Sequence, residues 1–193
     1  MGLKSLAAAV EEFGKEKVEV FFQPYIIDPN TKPEGEEYLA YNQRRWGSDG
    51  WTRHLRDKGR EAGAPFQDWR WWPNTLKAHC LIRFAEKRGI DPAKLKLLLF
   101  EALYEEGQNL SEARVLADLA KKLGLPEEET LAYLESGAGE EYMLEMVRYN
   151  QQAIQGAGVP TFIVEGAGQP LGFSGAMPAA QILGVLEQAF RQA

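Results

Sequence analysis

The side chains best suited to nucleophilic or metal chemistry in this sequence are one cysteine, Cys80, and two histidines, His54 and His79. A single cysteine excludes an internal disulfide, a CxxC redox pair and a four-cysteine zinc site within these 193 residues. A reactive thiolate needs a helix N-terminus or a nearby cation, whereas Cys80 falls well inside a predicted helix that begins near Asn74. We therefore expect Cys80 to be a core residue.

The two histidines differ in their surroundings. His79 follows Thr75 by four residues, so both side chains share one face of the predicted helix, which favours a structural, hydrogen-bonded histidine over a catalytic one. His54 lies in a strongly charged segment with Arg53 and Arg56, which indicates a solvated position. Two histidines this far apart in sequence predict no metal site.

A proline opens one of the predicted strands, at Gly158-Val159-Pro160. Proline suits the first position of a strand because it has no N–H to donate, and the bond before it is able to adopt the cis form. A cis bond would expose the backbone of Val159, which would then pair with an extended thiol or peptide ligand as an added strand does. The local sequence alone favours the other reading, an ordinary trans proline.

Charge and hydropathy exclude several classes of partner. There are 22 Lys and Arg against 28 Asp and Glu, which gives a net charge of −6, and the basic residues are scattered, so we expect no nucleic-acid partner. No apolar run approaches the roughly 18 residues of a membrane helix, and the N-terminus does not read as a secretory signal. The sequence therefore predicts no membrane partner and a cytoplasmic location.

The periodicity of apolar residues predicts the elements that position these groups. A helix is expected over 3–13 and a strand, rich in β-branched and aromatic residues, over 18–27. The pattern then turns almost wholly helical, changes to a period of two after residue 156, and returns to a helix at the end. The predicted segments after the first strand are helices 34–46, 49–62, 75–88, 92–106, 111–123, 127–135 and 139–156, strands 159–164 and 171–175, and helix 178–192.

Five segments, in order along nearly the whole chain, resemble one known family. They are residues 22–30 (FQPYIIDPN), 73–82 (PNTLKAHCLI), 99–104 (LFEALY), 158–162 (GVPTF) and 173–178 (FSGAMP). This arrangement is similar to the DsbA-like thioredoxin family, specifically its FrnE-type branch, near the 2-hydroxychromene-2-carboxylate isomerases and kappa-class glutathione transferases. The resemblance implies an α/β fold, a thioredoxin-like fold with a large helical insertion.

The resemblance also implies a division of the chain and a departure from the family. Residues 1–30 and 157–193 would form an incomplete thioredoxin-like domain, and residues 31–156 the helical insertion. Family members begin with a central strand that leads into CxxC, or a serine variant, whereas residues 1–6 here match a position inside the helix that follows. With this N-terminal strand missing, two other strands would lack their shared neighbour.

The family's binding features, carried over by position, give a set of substrate-binding candidates but no catalytic residue. The resemblance implies that the Val159-Pro160 bond is cis. It also implies that the segment around Trp71 and Trp72 lies at a cleft between the two domains. Those tryptophans are read either as lining an apolar pocket there or as interdomain packing. The substrate-binding candidates are Val159, Pro160, Thr161, Trp71, Trp72, Asn74 and His79.

The function that the resemblance implies is thiol–disulfide exchange, with a thiol- or disulfide-containing small molecule or peptide as partner. The redox cysteines are absent from this sequence, so the chain is read either as part of a longer protein or as a form that has lost the redox step. Alternatives are a glutathione-dependent isomerase or transferase, in which glutathione is a co-substrate, and a non-catalytic interaction module. A homodimer that covers the exposed strands also remains open.

Overall fold

The structure, a computed structural model, describes residues 1–154 and 156–191. It divides into two compact units, one of Met1–Phe22 with Asn150–Ala193 and the other of Gln23–Tyr149. We call them the first unit and the helical unit. The predicted helices 139–156 and 178–192 include residues 155 and 192, which lie outside the described residues.

Helices dominate the described chain, and strands are short. The elements in chain order are α1 (Gly2–Phe13), β1 (Glu36–Glu37), α2 (Tyr38–Trp46), α3 (Thr52–Glu61), β2 (Trp71–Trp72), α4 (Leu76–Glu86), α5 (Pro92–Tyr104), α6 (Ala113–Lys121), α7 (Glu127–Glu135), α8 (Glu140–Ala153), β3 (Thr161–Val164), β4 (Leu171–Ser174) and α9 (Ala179–Arg191). Each predicted helix has an observed counterpart within a few residues of its expected ends.

Local signals account for these helix ends. The Asp91 side chain accepts a hydrogen bond from the Ala93 N–H at 2.8 Å, and Pro92 occupies the first turn, where a missing N–H costs nothing. Helix α2 ends at Gly47, whose φ of 74° lies in the left-handed region that glycine adopts without strain. The boundaries of both helices therefore follow from a few neighbouring residues.

The helical unit has a core built from the facing sides of α4, α5, α6 and α7. Its largest fully buried members are leucines, one or two from each helix: Leu81, Leu95, Leu116, Leu119 and Leu134. Strands β1 and β2 pair antiparallel beside this core, with Glu36 opposite Trp72 and Glu37 opposite Trp71. This short ribbon fixes the position of the tryptophan segment.

The first unit packs α1 and α9 together with the β3–β4 hairpin. Ala9, Ile182 and Leu186 are buried at its centre. In the hairpin Phe162 lies opposite Phe173, and their rings stack with centroids 4.7 Å apart. The hairpin predicted from the change in period is confirmed.

The strand predicted over 18–27 is wrong, because the described chain has no strand there. The segment starts out extended, with φ −131° and ψ 126° at Val18, but it belongs to neither of the two ladders in the described residues. A β-strand is defined by backbone pairing with a neighbour, so extended residues of high β propensity form none without one. In the described part of the first unit, the backbone pairing between strands is thus that of the β3–β4 hairpin.

Candidate functional site

The loop that leads into β3 is held in place by hydrogen bonds on its β4 side. The Val159–Pro160 bond is cis, and the Pro160 carbonyl accepts from the Gly175 N–H at 2.8 Å. The Thr161 hydroxyl donates to the Gly158 carbonyl at 2.6 Å and lies 2.8 Å from the Ser174 hydroxyl. Val159 is 41% exposed, so the loop presents its chain to solvent.

The other edge of β3 faces away from the hairpin. Backbone groups of successive residues in a strand point to opposite edges. The Pro160 carbonyl accepts its hydrogen bond from Gly175, which follows β4, so Pro160 points to the β4 side. In this register the backbone N–H and C=O groups of Thr161 and Ile163 point to the other edge of β3. Ile163 is also 60% exposed. Extended peptides are able to add to a sheet through backbone groups that point away from it in this way.

The N-terminus of α1 adjoins the same loop. A Cβ placed on the buried Gly2 would lie 3.0 Å from Pro160 Cγ and 3.6 Å from the Phe162 ring. Helix N-termini carry partial positive charge and stabilise anions, including thiolates. Sequence reasoning missed Gly2, whose signal is a single glycine at the start of a helix that is otherwise rich in alanine. The loop and the start of α1 are therefore in close contact within the first unit.

Cys80 does not have the surroundings of a reactive thiol. It is 2% exposed and belongs to the leucine-rich core of the helical unit. Burial, and after it the charge of Glu140, raises the pKa of the Cys80 thiol to about 11. The thiol is therefore protonated near neutral pH, as expected of a core cysteine.

His79 has a structural environment. Its Nε2 lies 3.1 Å from the Tyr25 carbonyl oxygen, so Nε2 carries the proton and donates it. Burial, and after it the charge of Lys96, lowers the pKa of His79 to about 4. The ring is thus neutral at pH 7 and joins residue 25 to α4.

This burial predicts a loss of stability in mild acid. The unfolded chain takes up a proton on His79 near pH 6.5, but the folded chain does so only near its pKa of about 4. The unfolded state therefore binds more protons between these values, and His79 should lower the free energy of unfolding by about 1–2 kcal/mol between pH 6.5 and 5.

Urea unfolding of the parent and of His79→Gln at both pH values measures this contribution. Glutamine keeps an N–H donor for Tyr25 but does not titrate, so the variant should lose less stability on acidification. An equal loss in both proteins would contradict the assignment.

Trp71 and Trp72, both predicted to bind substrate, have different surroundings. Trp72 lines a cavity of about 520 Å³ together with Ile27, Trp46, Ser48 and Trp51. Trp71 instead packs against the core of the helical unit, and its carbonyl accepts from Trp69 Nε1 at 2.8 Å. Sequence reasoning missed Trp46 and Trp51, whose signal is their position on either side of a short Gly-Ser-Asp-Gly loop.

Asn74 is occupied by structural hydrogen bonds. Its Nδ2 donates to the Thr31 carbonyl at 3.2 Å, and its Oδ1 accepts from the Leu76 N–H at 3.1 Å. Its backbone N–H donates to the Ser111 hydroxyl at 2.8 Å. The side chain thereby joins the first residue of α4 to the segment around residue 31.

The candidates fall in two units. Val159, Pro160 and Thr161 lie in the first unit, and Trp71, Trp72, Asn74 and His79 lie in the helical unit. That all seven serve one ligand stays a prediction. Over the described ranges, 1–154 and 156–191, no group of histidine, cysteine and carboxylate side chains is placed to hold a metal ion, and no helix could span a membrane.

In chain order the helical unit is inserted between α1 and the β3–β4 hairpin, and the hairpin packs with α1 and α9. This is the arrangement of a thioredoxin-like protein with a helical insertion. Residues 1–187 match the DSBA-like thioredoxin domain, and the chain belongs to this family.

The fold also matches the crystal structure of a probable DsbA oxidoreductase from Streptomyces coelicolor. The TM-score is 0.77 at 24% sequence identity, and the match covers 100% of this chain and 86% of the other. No curated protein sequence is similar enough to add to this comparison.

Proposed function

We propose that the chain takes part in thiol–disulfide exchange by holding a thiol- or disulfide-containing ligand, glutathione or a short peptide, beside the 158–161 loop. The attacking thiolate comes from the ligand or from another polypeptide segment, and Cys80 does not supply it. The observation that carries the proposal is the packing of the α1 N-terminus against Pro160 beside an outward-facing strand edge. Membership of the DSBA-like family supports it.

The chemistry needs no cysteine of this chain. A thiolate attacks one sulfur of a disulfide, forms a new disulfide with it, and releases the second sulfur as a thiolate. No external oxidant or reductant enters this exchange. The protein contributes by aligning the sulfurs and by stabilising negative charge near the α1 N-terminus.

Each part of the loop has a role in this proposal. Backbone groups of Val159 and Thr161 pair with the extended ligand, while Pro160 keeps the chain in position. Trp71, Trp72, Asn74 and His79 were expected to complete the pocket. The side-chain amide of Asn74 and Nε2 of His79 already have backbone partners, so in this proposal both residues act through the structure of the helical unit.

The test follows exchange between glutathione and a disulfide-containing peptide, with and without the protein. We expect at least tenfold acceleration with a peptide whose backbone N–H groups are free. A peptide that is N-methylated beside its cysteine should be accelerated far less, because it cannot complete the strand pairing. This pair of peptides leaves the protein unchanged, so no variant has to fold.

Cys80→Ser serves as the control and should exchange at the parent rate. Loss of acceleration in this variant would show that Cys80 is the thiol after all. If neither peptide is accelerated but both bind, the chain is a non-catalytic holding module. If neither binds, the proposal fails.

A further inference from the structure

The helical unit contains a cavity for which the proposed exchange chemistry has no need. It measures about 520 Å³ and is lined by Ile27, Trp46, Ser48, Trp51 and Trp72, which are all uncharged. We propose that it binds an uncharged, planar aromatic small molecule of about two or three fused rings, a size that suits cavities of roughly 300–1,000 Å³. This inference does not depend on the proposed function.

Two walls of the cavity are fixed before any ligand arrives. Trp51 Nε1 donates to Asn42 Oδ1 at 2.8 Å, and Asn42, which is fully buried, donates in turn to the Tyr38 carbonyl at 2.8 Å. Trp72 stacks on Tyr41 with centroids 4.0 Å apart and planes 7° from parallel. Because these side chains are already ordered, less conformational entropy is lost when a ligand binds.

The surroundings of Trp46, a third lining residue, disfavour a cationic ligand. Indole rings arranged around a cavity usually attract cations through their π faces. Here the guanidinium of Arg45 already lies over the Trp46 ring, 4.4 Å from its centroid. A cation of the chain itself therefore already covers one face of Trp46, and that face offers no place for a cationic ligand.

The same arginine does not favour an anionic ligand either. Its Nε lies 3.7 Å from Asp28 Oδ2, and the neighbouring Arg44 is paired with Asp28 and Glu36. The positive charge is therefore largely balanced, and Asp28 follows the lining residue Ile27 directly in sequence. With both signs disfavoured, stacking and burial of an uncharged ring are what the cavity offers.

Three probes of nearly equal shape test the charge preference: 2-naphthol, naphthalene-2-carboxylate and 2-naphthyltrimethylammonium. Their dissociation constants are measured at pH 7 by titration calorimetry with the full chain. We expect 2-naphthol to bind at least tenfold more tightly than either ion. Equal binding of all three, or tighter binding of an ion, would overturn the proposal.

Two variants place the probe in this cavity. Trp46 is 52% exposed, so Trp46→Ala should leave the core intact while weakening 2-naphthol at least tenfold. Ser48→Phe fills the space from an exposed loop and should abolish binding. Tyr149→Ala, which removes an aromatic ring that is 68% exposed and not part of the lining, is the control and should bind as the parent does.

Unchanged affinity in both Trp46→Ala and Ser48→Phe would show that the probe binds elsewhere and would end the proposal. The result is independent of the exchange assay, which reports on the 158–161 loop of the first unit. Failure of one proposal is thus distinguishable from failure of the other.

Discussion

Cys80 of the native protein should react with a soluble disulfide reagent at least 100-fold more slowly than Cys80 of the urea-unfolded chain. Burial raises the pKa of this thiol from 9.0 to about 11, which lowers its thiolate fraction about 100-fold near neutral pH. Access is restricted as well, since the residue is 2% exposed and the reagent must wait for local opening. Both effects act in the same direction.

The measurement is the rate of labelling with 5,5′-dithiobis(2-nitrobenzoate) at pH 7.5, native and in urea. A short peptide with the sequence around Cys80 is the control for the intrinsic reactivity of the thiol in each solvent. Similar native and unfolded rates would show that Cys80 is accessible and ionised, and would reopen its exclusion from the exchange chemistry.

Gly59→Ala should destabilise the helical unit by about 1–3 kcal/mol, the typical cost of forcing a methyl group into a packed interior. A Cβ at Gly59 would lie 2.6 Å from the Phe66 ring and still nearer to the Ala64 carbonyl oxygen. Neither neighbour has room to move. Phe66 packs on Trp69 and Tyr104, and the Ala64 N–H is bonded to the Gly59 carbonyl at 2.8 Å.

The same change at Gly184 should have the opposite effect. Gly184 lies inside α9, and a Cβ there would meet open space. Alanine should therefore stabilise the helix by about 0.5–1 kcal/mol through its higher helix propensity. Urea unfolding of both variants measures the difference, and equal effects would contradict the packing described around Gly59.

The tryptophan segment shows how far sequence reasoning reached into the candidate sites. Density of aromatic residues singled out Trp71 and Trp72, and Trp72 does line a cavity. Trp46 and Trp51 were missed because each follows an ordinary helical pattern. Asn74 could not be separated from a ligand anchor by sequence, since its hydrogen bonds to Thr31 and Ser111 join residues far apart in the chain.

The sequence by itself determined the elements whose signals are local. Helix α5 begins where Asp91 and Pro92 predict, and the β3–β4 hairpin follows the change of period after the helices. Burial of Cys80 followed from its place inside a helix with apolar neighbours. Caps, turns and periodicity act over a few residues, so their energies are readable without the rest of the chain.

Tertiary structure alone decided the features that depend on distant partners. Residues 18–27 have strand propensity but form no strand, because backbone pairing requires a neighbour that propensity does not supply. Gly2 meets Pro160, and Trp72 meets Trp46 and Trp51, because packing of whole helices and strands brings them together. These contacts form because folding buries apolar surface. The hydrophobic effect is not directional, so the sequence around one residue does not show which distant residue it will contact.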